Sequence, residues 1–169
     1  QIDRANIRGE TGTALAKGSY HLTKNQLDVQ LTAYGVNLSR FRAGLTGMAN
    51  AKIAVRGTVE NPLATGRVEA YGSEYEGQSL PLVAADIRAN EKKLTLTRLA
   101  ASRGASRLDG IAELEFKTGK LSGSLESAGI QLSDWIAKDV TGSVAIEKAT
   151  LGGTLEHPEI DATLRGSIV

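Results

Sequence analysis

VRGTVENPLATGRVEA, residues 55–70, sets apolar residues at alternate positions on either side of Glu60-Asn61-Pro62. Alternation with period two is what a half-buried strand requires, and Asn-Pro is a turn signal. The stretch therefore predicts two antiparallel strands joined by a short turn. Nearly the same phrase returns as LGGTLEHPEIDATLRG, residues 151–166. Gly57, Thr58, Glu60 and Pro62 correspond to Gly153, Thr154, Glu156 and Pro158, and Val55, Val59 and Val68 to Leu151, Leu155 and Leu164. The second copy departs at Ala162, which replaces Gly66, and at Glu159, which replaces Leu63.

The echo extends outward. LTAYGVNLSRF (31–41) returns as LESAGIQLSDW (125–135), about 94 positions later, and Leu45-Thr46-Gly47 returns as Val140-Thr141-Gly142. Arg4 stands opposite Arg98 and Leu27 opposite Leu121. The chain of 169 residues thus reads as nearly two copies of a unit of about 95, roughly 1–79 and 80–169. It opens at Gln1 within a repeat, which reads as a segment of a longer protein.

Alternation recurs along the chain. Leu27, Val29, Leu31 and Ala33 oppose Asp28, Gln30 and Thr32; Ile53, Val55, Gly57 and Val59 oppose Ala54, Arg56 and Thr58. Leu94 and Leu96 alternate with Lys93, Thr95 and Thr97, and Leu108, Gly110, Ala112, Leu114 and Phe116 with Asp109, Ile111, Glu113 and Glu115. Ile160, Ala162, Leu164, Gly166 and Ile168 oppose Asp161, Thr163, Arg165 and Ser167. Turn residues at 24–26, 60–62, 71–73, 90–92, 117–119 and 156–158 separate about eight strands per copy. Helical turns or loops are expected around 38–45 and 132–139, with Ser39 and Ser133 in N-cap positions, and the stretch 71–79 is linker-like.

Composition narrows the function. Acidic and basic residues nearly balance, with 20 Lys and Arg against 19 Asp and Glu, so no strong field draws nucleic acid or an anionic membrane. Arg98, Arg103 and Arg107 lie on a strand pattern without interleaved aromatics and read as a solvated face. The absence of cysteine removes disulfides, thiolate chemistry and cysteine-based zinc sites together. No apolar run approaches the ~18 residues a membrane helix needs, and no signal peptide opens the chain. Aromatics are few, so any core is built from small and medium aliphatics, with Phe41 and Trp135 as its expected plugs.

Chemistry-bearing patterns are sparse. His21 and His157 are far apart, and His157 reads as a turn residue before Pro158. Lys117-Thr118-Gly119-Lys120 fails as a phosphate loop, with Leu114 in place of the upstream glycine and Leu121 in place of Ser or Thr. No nucleophile elbow accompanies the serines. The expectation is a protein that is not an enzyme and uses no cofactor or metal.

The segments GTVENPLATG (57–66), LSRFRAGLTG (38–47) and LSDWIAKDVTG (132–142), each tied to alternating strands, resemble the repeats of the TamB family and, more broadly, the AsmA-like envelope proteins. The resemblance covers essentially the whole chain through short, degenerate motifs. It implies an all-β fold: a curved, grooved, taco-like antiparallel sheet with an apolar concave interior. It also implies a periplasmic segment of an inner-membrane-anchored bacterial envelope protein. The implied partners are the outer-membrane barrel subunit of the translocation and assembly module, phospholipid, and nascent outer-membrane protein strands. The implied roles are outer-membrane protein assembly and phospholipid transport.

The residues themselves supply a trough for such cargo: Leu27, Val29, Leu31, Ile53, Val55, Leu94, Leu96, Leu114, Leu125, Leu155, Ile160 and Leu164. Interchangeable aliphatics offer no deep minimum, which suits sliding better than tight capture. The alternative is a structural or adhesive β-solenoid in which these residues close on each other and no cargo is carried.

Overall fold

The computed structural model describes residues 2–9, 12–41, 43–75, 77–135 and 140–168. Among them are twelve strands, and the chain divides after Glu91 into two units. The first holds β1 (Ile2–Gly9), β2 (Gly12–His21), β3 (Gln26–Asn37), β4 (Leu45–Thr58), β5 (Pro62–Tyr75), β6 (Gln78–Ser79) and β7 (Leu82–Ala89). Its strands are ordered β1-β2-β3-β4-β5-β7, every pair antiparallel, with β6 folded back on β5. The second holds β8 (Lys93–Arg103), β9 (Ser106–Glu115), β10 (Leu121–Gln131), the single helical turn α1 (Leu132–Trp135), β11 (Gly142–Gly153) and β12 (Pro158–Ile168). Its sheet runs β8-β9-β10-β11-β12, again antiparallel. The fold is all-β, and neither sheet closes into a barrel.

Each unit has fewer strands than the eight expected per copy, because the strands are long; β4 and β5 each run 14 residues. The same series of elements occurs twice. The lengths of β2 and β9 are equal, and a helical turn follows both β3 and β10. The stretch 71–79 is not a linker: Glu74 pairs with Ser79 and Tyr75 with Gln78 in a hairpin. Tyr71-Gly72-Ser73 likewise stays within β5, where Gly72 takes a positive φ of 57° beside the register shift between Thr46 and Met48. A left-handed residue is absorbed as an irregularity of the strand instead of reversing it.

The repeated phrase is a repeated turn. Gly57 and Gly153 adopt φ of 111° and 76°, which side chains other than glycine's disfavour. The Asn61 N–H donates to Thr58 Oγ1 at 3.1 Å, and the His157 N–H to Thr154 Oγ1 at 3.2 Å. Pro62 and Pro158 then open β5 and β12, the strand position a residue without an N–H tolerates. Val59, expected on the face of β4, lies beyond its end in this turn and is exposed.

The helical turns are shorter than their sequence windows. Leu38–Arg40 is one 3-10 turn, and its cap is Asn37, not Ser39: the Asn37 side chain accepts from the Ser39 N–H at 3.0 Å. In the second window, 136–139 lie outside the described residues. Phe41, expected as a core plug, is 72% exposed, since it follows the 3-10 turn with no second layer above it among the described residues. Trp135 is half-buried.

The buried apolar set among the described residues is small: Ala84, Ala85, Ala112, Leu132 and Ala149. Four alanines and a leucine do not make a two-layer core, so lateral packing within each sheet carries most of the apolar contact. In-strand glycines sharpen that packing. A Cβ on Gly66 would overlap the Lys52 carbonyl oxygen, and one on Gly110 the Ser124 carbonyl oxygen, while one on Gly152 would meet nothing within 4 Å.

Gly66→Ala is expected to lower stability by about 1–3 kcal/mol, the usual range for overpacking. Gly152→Ala is expected to be neutral or stabilising by up to ~1 kcal/mol, through the unfolded chain. Urea denaturation of the two variants checks the contrast.

Candidate functional site: the aliphatic faces

Residues opposite one another in an antiparallel ladder point to the same face, so register decides which side chains share a surface. In the first unit Ala16, Leu31, Ile53, Gly66 and Ile87 form one row across the sheet. Gly18, Val29, Val55, Ala64 and Ala89 form the next, and Ala14, Ala33, Ala51, Val68 and Ala85 a third. Leu27 joins the same face between Tyr20 and Gly57. In the second unit Leu94 meets Leu114 and Leu121; Leu96, Ala112, Gly123, Leu151 and Ile160 form a full row. Leu99, Gly110, Leu125, Ala149 and Ala162 form another, and Leu164 pairs with Ile146.

Every expected trough residue except Leu155 therefore lies on the aliphatic face of its own unit. Leu155 sits past the end of β11 in the Gly-Thr turn, 62% exposed, as its counterpart Val59 does in the first unit. Val68, Ile87, Leu99, Leu121, Ile146 and Leu151 belong to these faces without having been singled out. The alternation of β7 and β11 marks their apolar side, but cross-strand register places it.

The opposite faces carry the charge. Arg56 pairs with Asp28 at 3.5 Å, and Arg67 with Asp86 at 3.1 Å and Glu69 at 3.0 Å. In the second unit Lys93 pairs with Glu113 at 2.8 Å and Arg107 with Asp109 at 2.6 Å. Exposed pairs of this kind add little to stability. They hold one side of each sheet wet and so define the other as the apolar one.

Local hydrogen bonds hold three carboxyls below their ordinary range. The Lys93 ammonium, and more weakly the Thr95 hydroxyl, keep the Glu113 carboxyl below its ordinary 4.5. The bidentate Arg107 guanidinium keeps Asp109 below 3.8. Glu60 is lowered first by its own backbone N–H and then by Asn25, whose amide reaches both carboxylate oxygens at 2.6 Å.

Two other features gather polar groups. A hollow of about 660 Å³ in the second unit is lined by Arg98, Arg107, Asp109, Ile111, Glu126 and Lys148, but its bidentate Arg107–Asp109 pair is internally satisfied. The buried Ser106 donates to Asp134 Oδ2 at 2.7 Å and accepts from the Gln131 N–H at 2.8 Å. That network ties α1 to the β8–β9 turn, where the Ala105 N–H also reaches Asp134. Among the described residues, no group of three or more His, Asp and Glu is placed to hold a metal. His157 is committed to its turn through its backbone.

In comparisons with protein-family models, curated proteins and solved structures, nothing matches this chain.

Lys93→Met is expected to return the Glu113 pKa toward 4.5, read by NMR titration of the carboxyl carbon. A depressed native pKa stabilises the fold above the ordinary carboxylate value and loses that contribution as pH falls through the lowered value. The stability gap between wild type and variant should thus close as pH drops below 4.5.

Proposed function

We propose that this chain is a segment of a TamB-like envelope protein whose sheets bend toward their aliphatic faces and shelter acyl chains or unfolded outer-membrane protein strands. The observation that carries this reading is the two-sided chemistry of each unit. One face is a near-unbroken field of Leu, Ile, Val, Ala and Gly, the other is charged, and no second layer covers the first among the described residues.

The bend is supported by the asymmetry of the glycines. Gly18, Gly66, Gly110, Gly123 and Gly166 all lie on aliphatic faces, and each has neighbouring-strand backbone where its Cβ would stand. Gly152, on the opposite face from Leu151, has open space there. Bending a sheet brings neighbouring strands together on the concave side and spreads them on the convex side, so tight glycines on one face and an open one on the other are what a concave aliphatic face produces.

A guest is held by area and not by directed bonds. Each methylene moved from water onto the face contributes ~0.8 kcal/mol, wherever along the rows it lies. Shifting a chain by one row replaces leucine or valine contacts with similar ones, so movement along the groove meets a low barrier. The role is non-catalytic and needs no cofactor. Its setting is the periplasm, between an inner-membrane anchor and an outer-membrane barrel partner, as the motif resemblance implies.

Site-specific photocrosslinking in cells tests this. A crosslinking residue replaces Val29, Leu96 or Leu164 on the aliphatic faces, with Gln30, Thr95 and Thr163 as controls on the charged faces. Phospholipid or outer-membrane protein adducts confined to the first set are expected. Equal silence on both faces would sink the conduit and leave the closed solenoid.

A further inference from the structure

The aliphatic face of the second unit ends in serines. Along β9, Ser106 and Leu108 lie on the side of Gly110, Ala112 and Leu114, and along β10 Ser127 lies on the side of Gly123 and Leu125. Hydroxyls at the open end of a sheet face would be wet, yet Ser106 is 1% exposed and Ser127 7%. The Ser127 hydroxyl is taken up within the sheet, by the Arg107 carbonyl and the Gly129 N–H. Ser106 is covered by α1. Asp134 Oδ2 accepts from the Ser106 hydroxyl at 2.7 Å and from the Ala105 N–H at 3.2 Å, and Ser106 accepts from the Gln131 N–H at 2.8 Å. The chain leaving β10 thus turns onto the aliphatic side and is fastened to the β8–β9 turn, where a Cβ on Gly104 would overlap the Asp134 carboxylate. Leu132, the first residue of α1, is buried as well.

The first copy has the same elements without the fastening. About 94 positions earlier, Gly12 stands for Ser106, Ala33 for Ser127 and Arg40 for Asp134. Glycine offers no hydroxyl, and a guanidinium accepts no hydrogen bond. Phe41, the counterpart of Trp135, is 72% exposed where Trp135 is half-buried, and Leu38 is half-buried where Leu132 is buried. The helical turn is therefore held down by a carboxylate in one copy only.

We propose that α1 is a strap closing the end of the aliphatic face over β9 and β10, and that Asp134 is the positioning residue that holds it shut. The proposal rests on the reading of these faces as guest surfaces. With the strap shut, a guest on the rows of Leu96 and Leu99 ends before Leu108. With it open, the face lengthens by the end that holds Leu108 and Ser106. Opening returns the Asp134 carboxylate and its donors to water, so those hydrogen bonds are exchanged and not lost outright. It also admits water to the Trp135 Nε1–H, which is buried with no hydrogen-bond partner among the described residues. The shut state therefore carries an unpaired donor that the open state relieves, and the Asp134 bonds decide between the two.

Trp135 is the chain's only tryptophan, so acrylamide quenching reads the strap directly. Asp134→Ala is expected to raise the quenching constant at least twofold and to speed exchange of the Gln131 amide at least tenfold, with the Ala112 and Gly123 amides unchanged. Asp134→Asn, which keeps an acceptor oxygen, should shift both in the same direction by less, and it serves if the alanine variant does not fold. Arg40→Ala, at the counterpart position, should move neither. Closure is read by a photocrosslinking residue at Leu108, whose lipid or protein adducts should rise at least threefold in Asp134→Ala while those at Leu96 stay equal. Unchanged quenching, a uniform rise of exchange across β9 and β10, or equal Leu108 adducts beside a labelled Leu96 would each overturn the proposal. Silence at both Leu96 and Leu108 would instead sink the guest surface and the closure with it. Quenching and exchange would still decide the latch, so the two failures are told apart.

Discussion

Cross-strand register is the constraint from which the rest of this chain follows. Each strand alternates aliphatic and polar residues, so a slip of one position between neighbours would set charges among leucines along the whole row. Among the described residues nothing outside the sheets corrects such a slip, because the buried apolar ones are four alanines and one leucine. Register is pinned instead at the ends of the strands. The Gly-Thr turns fix β4 to β5 and β11 to β12, the Asn25–Glu60 hydrogen bonds clamp two turns of the first unit together, and Asp134 holds α1 to the β8–β9 turn.

A single-layer sheet places unusual demands on side-chain size. A sandwich or barrel fills the space between two layers with large residues, whereas here lateral neighbours within one layer are the main source of apolar contact. Glycine alternates with aliphatics across the rows: Gly66 lies beside Ile53 and Ile87, Gly18 beside Val29, Gly166 beside Val144. The larger neighbour occupies the space the glycine leaves. Abundant glycine, which weakens an ordinary strand through its entropy, is tolerated because at Gly18, Gly66 and Gly166 it lets the neighbouring backbone lie where a Cβ would stand.

How far the sequence is legible depends on whether a feature is local. Alternation is local, and it assigns Leu27, Val29, Leu31, Ile53 and Val55 to one side correctly because each strand repeats its own pattern. Strand ends are less so. Val59 and Leu155 continue the alternation by residue type, yet Gly57 and Gly153 turn the chain before they reach the sheet. Asn37 outcompetes Ser39 as a cap because its side chain, two positions earlier, accepts from the Ser39 N–H. Tyr71–Tyr75 looks like a linker because Gly72 and Ser73 are turn formers, but the left-handed Gly72 is absorbed as an irregularity inside β5. Phe41 looks like core by composition alone; burial needs a covering layer, and no sequence window reports whether one exists. The rows of the aliphatic face are illegible for the same reason, since Ile146 joins them only through register shifts in β10 and β11.

The two copies differ where their surroundings differ. From β5 to β12, Ala64 becomes Ile160, Gly66 becomes Ala162 and Val68 becomes Leu164, so the aliphatic face gains volume at three positions and loses it at the fourth, where Ala70 becomes Gly166. On the other face Leu63 becomes Glu159 and Thr65 becomes Asp161, while Arg67 gives way to Thr163. What the two copies share is the turn and the register: Gly57 pairs with Pro62 and Val55 with Ala64, as Gly153 pairs with Pro158 and Leu151 with Ile160. Ile160 and Leu164 therefore keep the face that Ala64 and Val68 occupy, although the side chains that fill it differ. An apolar surface built from lateral contacts can be repeated in this way without repeating its sequence, because the turn sets the face and the rows accept any aliphatic that fits beside its neighbours.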